Sequence, residues 1–246
     1  MTLSLWGYLW VALTIFVAYF ARGMSGFGAC MIAVPLMAFV MPLQQAVPLC
    51  SLLAFTLFIG LLARDRHLID WPELKRLIPP TLIGTALALW LFSVLDNRIL
   101  VTALGIFLIV YAAYMLAASL LKWGDLRCGP AWAWPAGGVG GFFDTLFGGG
   151  GGSLVVIYIN ARGVARAAFR ITVVALWFIE LLARIGGYAW AGFYTAETLA
   201  MSVFLLPVIW AATVLGERLS NRLDSEMFSR LLAVMLAASG ISLLAR

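Results

Sequence analysis

The sequence predicts an all-α polytopic membrane protein of two inverted repeats, each a glycine-broken helix or helical hairpin followed by three transmembrane helices. Three observations support this prediction: the composition, the length of the apolar runs and a repeated pattern of glycines. Hydrophobic residues make up 64% of the chain and charged residues only 11%, whereas a soluble domain carries about 25% charged residues. Lipid must therefore surround most of the surface, which excludes a soluble enzyme.

The apolar residues form runs close to the about 20 residues that a helix needs to cross a bilayer. The runs cover 5–22, 29–41, 45–63, 77–95, 99–121, 131–147, 152–160, 171–191, 198–216 and 227–245. The first run follows an uncharged start and leads directly into the second, so a cleaved signal peptide is not expected. Each run is predicted to be a helix or half-helix in the membrane.

A glycine-rich segment interrupts the apolar sequence at matching places in the two halves. A shift of 122 residues lays Gly26 on Gly148 and Gly28 on Gly150, and a later shift of 128 residues lays Pro79 on Pro207. We therefore predict a first repeat over 1–122, a connecting loop over 123–130 and a second repeat over 131–246. Internal duplication of this kind is typical of secondary transporters.

The basic residues predict the orientation of the repeats, because Lys and Arg concentrate in cytoplasmic loops. They cluster in four loops, at 64–76, 122–127, 162–166 and 218–222. All four loops face the cytoplasm if each broken element leaves and returns to the same side, whereas a single crossing would turn the last two outward. We predict inverted repeats in the inner (plasma) membrane, with both termini outside.

Glycines at membrane depth indicate a binding site, because hydrocarbon cannot satisfy their exposed backbone groups. A half-helix starting at about Ala29 or Ser153 would aim N–H groups and its positive dipole end into a cavity, which suits an anion. The alternative is that the glycines only let helices pack closely. The predicted substrate-binding residues here are Gly26, Phe27, Gly28, Ala29, Thr145, Gly148, Gly149, Gly150, Gly151 and Ser153.

Ionisable residues within the apolar runs are further candidates, since burying a charge in a membrane is costly. Arg22 and Asp144 each lie four residues before an aligned glycine, so Arg22 is a candidate for substrate binding and Asp144 for coupling. Glu180 precedes Arg184 by four residues, which fits either a structural ion pair or a proton-coupling role for Glu180.

Three arginines recur every four residues at 162, 166 and 170, and on one helix they would form a cationic stripe. The stripe could pass an anionic substrate, with Arg170 as the deepest candidate, or it could anchor the chain to lipid phosphates. Aromatic residues near the ends of runs are predicted to be interfacial anchors. They are Trp71, Trp132, Trp134, Tyr188 and Trp190.

Several classes of partner are not expected. The net charge of +5 comes from short basic clusters between apolar runs, which argues against nucleic acid. His67 is the single histidine, and the three cysteines (30, 50 and 128) lie far apart as small core residues, so no metal is predicted. No cofactor fingerprint or nucleophile with a histidine base is found, so we expect no cofactor and no enzymatic activity.

The segment from Gly23 to Pro35 resembles the GxxGxGGGxxxxP signature of the sulfite exporter TauE/SafE family of membrane permeases. The second copy, 145–157, keeps the glycines but has Thr145 and Ile157 at the first glycine and the proline. The first copy has Ala29 and Cys30 where the family repeats glycine. Further agreement lies at Ala46, Ser51 and the Asp70-Trp71 pair, so the resemblance covers the whole chain.

The resemblance implies a secondary transporter, in particular an exporter, of small sulfur-containing anions such as sulfite or sulfonates. Transport would proceed by alternating access between the two repeats and be driven by an ion gradient, with protons as the candidate coupling ion. The alternatives are an anion channel or membrane scaffold without coupled transport, and a carrier of small carboxylates.

Overall fold

The computed structural model describes residues 4–25, 28–120, 127–219 and 225–245, and its secondary structure there is entirely helical. The helices are α1 (Leu5–Ser25), α2 (Ala29–Met37), α3 (Leu43–Asp65), α4 (Trp71–Val94), α5 (Asn97–Leu120), α6 (Ala133–Phe147), α7 (Gly152–Ala161), α8 (Arg166–Trp190), α9 (Ala196–Leu219) and α10 (Ser225–Leu244). The prediction of an all-α protein with two broken helices is confirmed.

Four helical segments in the described ranges are long and apolar enough to cross a membrane, by length and composition. They are Leu5–Met24, Trp71–Val94, Asn97–Ala117 and Ala196–Leu219. Large apolar side chains on these segments are exposed, such as Trp90 at 60% and Phe204 at 79%. Such surfaces are stable in lipid and costly in water, so this is a multi-pass membrane protein.

The helices of the two halves occur in the same order. In each half a glycine segment separates two helices, α1 from α2 and α6 from α7, and three helices follow, namely α3 to α5 and α8 to α10. This order agrees with the predicted duplication, although the repeat boundaries themselves stay a prediction.

The chain divides into two compact units, and each unit takes segments from both halves. One unit contains residues 1–50, 95–123 and 195–246, and within it α1 packs against α9 and α5 against α10. The other contains 51–94 and 124–194, and within it α4 packs against α6 and α8. The packing units therefore do not follow the predicted repeats.

Glycines permit the closest helix contacts in both units, since the absence of a side chain lets two backbones approach. A Cβ atom added to Gly23 of α1 would lie 3.0 Å from the Cα of Gly216 of α9. A Cβ atom on Gly141 of α6 would lie 2.5 Å from the carbonyl oxygen of Thr81 of α4. At these positions close packing is a sufficient reason for the glycine.

Each broken element folds back on itself as a helical hairpin. In the second hairpin, the Cys128 N–H just before α6 donates to the Ala161 carbonyl at the end of α7 (3.3 Å). In the first, the indole N–H of Trp10 in α1 donates to the Leu36 carbonyl of α2 (2.8 Å). The chain thus returns towards the end where each hairpin began; the inverted arrangement of the repeats and the membrane sidedness stay predictions.

The open end of the second hairpin is fastened to α4 by the buried carboxylate of Glu73. Its Oε1 accepts hydrogen bonds from Arg76 (2.5 Å) and Arg162 (3.0 Å), and its Oε2 accepts one from the Tyr158 hydroxyl (2.7 Å). Arg162 also donates to the Cys128 carbonyl (3.0 Å). The hydrogen bond with Glu73 raises the pKa of the Arg162 guanidinium. We call these residues the Glu73 clamp.

Candidate functional site

The first glycine segment breaks the helix at the predicted place. Gly28 has φ 79° and ψ 19°, a left-handed conformation that favours glycine, and α2 begins at the buried Ala29. A Cβ atom on Gly28 would meet no atom of the described residues within 4 Å, so close packing does not explain this glycine. Gly26 and Phe27, two predicted binding residues, lie outside the described residues.

Two polar residues of α1 lie near this break. Tyr19 is completely buried, and its phenol interacts electrostatically with Arg22, Cys30 and Cys50. Within the described part of the chain, no group forms a hydrogen bond with the Tyr19 hydroxyl. Arg22 is half-buried. The sequence analysis missed Tyr19; its position one turn before Arg22 was the available signal.

The second glycine segment also breaks the helix as predicted. After α6, Gly148 and Gly150 take positive φ angles of 81° and 99°, and α7 begins at Gly152, one residue before the predicted start. The Ser153 hydroxyl donates to the Gly150 carbonyl (2.7 Å). Gly149 and Gly150 are half-buried, and their backbone groups are the more accessible ones of this segment.

Close packing accounts for the last two glycines of the second segment. A Cβ atom on Gly151 would overlap the backbone of Gly140 in α6, and one on Gly152 would lie 2.6 Å from the Trp177 ring. The packing alternative therefore applies to Gly151 and Gly152, whereas it does not apply to Gly28.

The carboxylate of Asp144, a residue of α6, lies at the N-terminus of α7. Its side chain is 7% exposed, and its Oδ1 accepts a hydrogen bond from the Gly151 N–H (2.9 Å). Since the N-terminus of a helix attracts negative charge, this carboxylate satisfies an amide group that we expected to face a substrate. The two predicted site residues, Asp144 and Gly151, thus contact each other in this structure.

A buried polar cluster surrounds Asp144. Arg184 contacts the Glu180 carboxylate (3.5 Å) and donates to the Ser51 hydroxyl (2.9 Å). Glu180 is 3% exposed and Arg184 is 6% exposed. Asp144 interacts electrostatically with both residues. The two coupling candidates are therefore brought together, and each lies near the same guanidinium group.

Thr145 completes the polar cluster. Its hydroxyl donates to the Thr85 hydroxyl of α4 (3.3 Å), and its carbonyl accepts a hydrogen bond from Tyr188 (2.5 Å). The prediction of Tyr188 as an interfacial anchor is wrong, because its side chain is completely buried and bonded inside the protein. The predicted anchors Trp132 and Trp190 are exposed, at 62% and 94%.

The predicted arginine stripe is wrong for Arg162. This residue ends α7, and Gly163 reverses the chain with φ 72° before α8 begins at Arg166. Arg162 belongs to the Glu73 clamp instead of a helical stripe. Nothing is described for the side chain of Arg166. Arg170 is exposed on α8, whereas Asp144 and the other residues of the polar cluster are buried.

These arrangements suit the binding of a small anion and the handling of a proton. The N-termini of α2 and α7 each follow a glycine segment within a mostly apolar sequence. A helix N-terminus favours the binding of an anion. Near the first are a buried hydroxyl and an arginine, and near the second are two carboxyl groups and an arginine. Buried ionisable groups in an apolar helical protein are costly, which makes them candidates for a functional role.

Comparison with known proteins gives the family. The family model of the sulfite exporter TauE/SafE matches residues 11–243. Over 184 residues the chain is 27% identical to "Probable inner membrane transporter protein TsaS" of Comamonas testosteroni, which covers 71% of this chain and 72% of that protein. No solved structure matches the chain. Since the family match spans nearly the whole sequence, the chain belongs to the sulfite exporter TauE/SafE family of membrane transporters.

Proposed function

We propose that the protein is a secondary transporter that exports small sulfur-containing anions, such as sulfite or sulfonates, by alternating access. Membership of the family and the similarity to a protein named as an inner membrane transporter support a transport role. The protein would lie in the inner membrane with both termini outside, and transport would be coupled to protons.

The observation that carries the proposal is the polar environment at the first glycine segment. The hydroxyl of Tyr19 is fully buried beside Arg22, and none of the described residues accepts or donates a hydrogen bond there. A buried hydroxyl without such a bond costs about 1–3 kcal/mol. A sulfonate or sulfite oxygen placed there would accept a hydrogen bond from the hydroxyl and lie near the Arg22 charge and the α2 amide groups.

We propose binding residues at both glycine segments. At the first segment they are Arg22 and residues 26–29, including Gly26, Phe27, Gly28 and Ala29. At the second they are Thr145, Gly148, Gly149, Gly150, Gly151 and Ser153, and Arg170 would attract anions to the surface. Asp144 and Glu180 are the proposed coupling residues, because they are buried ionisable groups that share one arginine.

The first test is thermal unfolding of the detergent-purified protein with sulfite, sulfate, thiosulfate, taurine, sulfoacetate and small carboxylates. A ligand that binds only the folded state raises the melting temperature, and we expect a selective rise with a sulfur-containing anion. A rise with carboxylates alone would identify a carboxylate carrier. No rise with any anion would contradict anion transport and favour a scaffold.

The matched variants are Gly28→Asn and Gly192→Asn. Both glycines have positive φ angles, 79° and 75°, and open space at the Cβ position among the described residues. Asn tolerates this backbone conformation better than other side chains, so both variants should fold. We expect Gly28→Asn to abolish the ligand-induced rise and Gly192→Asn, in the turn after α8, to retain it. An unchanged rise in Gly28→Asn would remove the first segment from the site.

Flux distinguishes a carrier from a channel. In proteoliposomes, a carrier should show saturable uptake of the identified anion and exchange of labelled for unlabelled anion across the bilayer. A channel would show flux that does not saturate and is not accelerated by unlabelled anion on the opposite side, and that result would contradict alternating access.

A further inference from the structure

The position of Asp144 makes it a built-in competitor of any anion at the second glycine segment. Its Oδ1 accepts a hydrogen bond from the N–H of Gly151 (2.9 Å), and Gly151 is the residue that caps the N-terminus of α7. The helix dipole and this N–H group would favour a substrate oxygen in the same way as they favour the carboxylate. A substrate anion and an ionised Asp144 therefore cannot use this amide group at the same time.

Electrostatic repulsion strengthens the competition. Asp144 is 7% exposed and interacts with the charges of Glu180 and Arg184. Arg184 is already paired with Glu180 at 3.5 Å. If all three groups are ionised, one positive and two negative charges give −1, and a monoanionic substrate would add a second uncompensated negative charge. In a low-dielectric interior such an addition is strongly unfavourable.

The groups on the neighbouring helices do not supply another positive charge in the described structure. α4 faces this region with uncharged Thr85, which bonds Thr145, and α7 presents the Gly151 amide. The charged residues of α4 lie in its first turns, and Arg76 is the one nearest to Thr85. At a rise of 1.5 Å per residue, the two positions are about 13 Å apart along the helix axis. The Arg76 and Arg162 side chains contact Glu73.

We infer that Asp144 takes up one proton for each monoanionic substrate that binds at the second glycine segment. This inference rests on the proposed function. Asp144 accepts a proton from water and becomes a neutral carboxylic acid. The Gly151 N–H then donates to an oxygen of the substrate instead of Oδ1, and no other covalent bond changes.

The charge of the site is the same before and after this exchange, because the substrate brings one negative charge and the proton removes one. Anion and proton would therefore cross the membrane together, so export would be driven by a higher concentration of the anion in the cytoplasm. Since binding takes up a proton, the affinity for the anion must increase as the pH falls, over the range in which Asp144 is ionised in the empty protein. For one proton the expected change is about tenfold per pH unit.

The experiment measures proton uptake and affinity in the same sample. The purified full-length protein, in weakly buffered detergent solution with a pH indicator, is titrated with ethanesulfonate, a monoanion that does not itself titrate near neutral pH. Binding is followed by the rise in melting temperature and by calorimetry. We expect one proton to be taken up per bound anion, and an affinity that increases about tenfold per unit decrease in pH.

Two variants identify the residue. Asp144→Asn keeps an oxygen that can accept the Gly151 N–H and has no charge, so we expect binding without proton uptake and with an affinity independent of pH. Glu73→Gln is the control, because Glu73 is equally buried but already contacts two arginines. It should retain both the proton uptake and the pH dependence.

The outcomes separate the two proposals. Binding of ethanesulfonate to the wild-type protein without proton uptake contradicts the coupling inference and leaves the proposed function intact. Uptake that persists in Asp144→Asn assigns the proton to another group and also overturns the inference. Absence of binding at every pH contradicts a sulfonate substrate, and the inference fails with it. The wild-type proton count needs no variant, so a count of zero overturns the inference even if Asp144→Asn does not fold.

Discussion

Three buried acids, Glu73, Asp144 and Glu180, have different electrostatic environments. Glu73 contacts two arginines and a tyrosine, so its negative charge is fully compensated. Asp144 and Glu180 share the single guanidinium of Arg184. Since the charge of Glu73 is already balanced, we propose a structural role for this residue. Asp144 and Glu180 together carry more negative charge than Arg184 can balance, and we propose that Asp144 exchanges the proton.

At the residue scale, we predict that Glu73→Gln lowers the free energy of unfolding by about 1–3 kcal/mol, since the negative charge that pairs with two arginines is lost. The effect should be below that of a fully buried ion pair, because the Arg76 side chain is 44% exposed. Thermal unfolding in detergent measures it, with Lys75→Gln, an exposed neighbour on α4, as the control. A melting temperature equal to that of Lys75→Gln would show that the Glu73 clamp is not stabilising.

At the scale of elements, the two hairpins depend on glycines of two kinds. Gly28 and Gly150 have positive φ angles that reverse the chain, whereas Gly140 and Gly151 let α6 and α7 touch. Glycines of the first kind are required by the local backbone conformation of the turn. Glycines of the second kind are required only because two helices come into contact. A substitution therefore has different consequences at the two kinds of position.

We predict that Gly141→Ala destabilises the protein by about 1–3 kcal/mol through overpacking, because its Cβ atom would lie 2.5 Å from the Thr81 carbonyl oxygen. Gly186→Ala is the matched control, since Gly186 is also helical and its Cβ position is open. It should be neutral or stabilise by up to about 1 kcal/mol. Thermal unfolding of both variants checks the contrast, and equal stabilities would contradict the close α4–α6 contact.

At the scale of the whole molecule, each compact unit combines segments of both halves of the sequence. The α1–α9 and α4–α6 contacts each pair the first helix of one predicted repeat with a later helix of the other. Neither half could therefore bury its helices in this way by itself. We expect the two halves to be stable only when expressed together in one chain.

We predict that both termini lie outside the cytoplasm, because each glycine hairpin returns to the side from which it entered and the basic loops remain inside. Fusion of alkaline phosphatase to the C-terminus should give an active enzyme, and fusion of a fluorescent protein that matures in the cytoplasm should give none. Fluorescence with inactive phosphatase would show that the topology is reversed. A fusion after Arg127, in the connecting loop, should give the opposite pattern.

Much of the fold follows from the sequence, because the determining interactions are local or with lipid. The apolar runs require helices in a bilayer, and the glycines break two of those helices at 28 and 148, where positive φ angles are found. Asp144 and Glu180 could be identified because an ionisable residue in an apolar run is costly wherever it lies. The same argument gave no preference between their structural and coupling roles.

The tertiary structure alone decided which groups meet, because the partners are far apart in sequence. Ser51 and Arg184 are separated by 133 residues, and Glu73 and Tyr158 by 85. The side chain of Tyr188 is buried by packing that its neighbours in the sequence do not reveal. The sequence by itself thus determined a helical membrane protein with two glycine-broken elements, since hydropathy and backbone conformation act over a few residues. The tertiary structure placed Asp144 on the amide of Gly151, since hydrogen bonds and charge pairs depend on distances that only the folded chain sets.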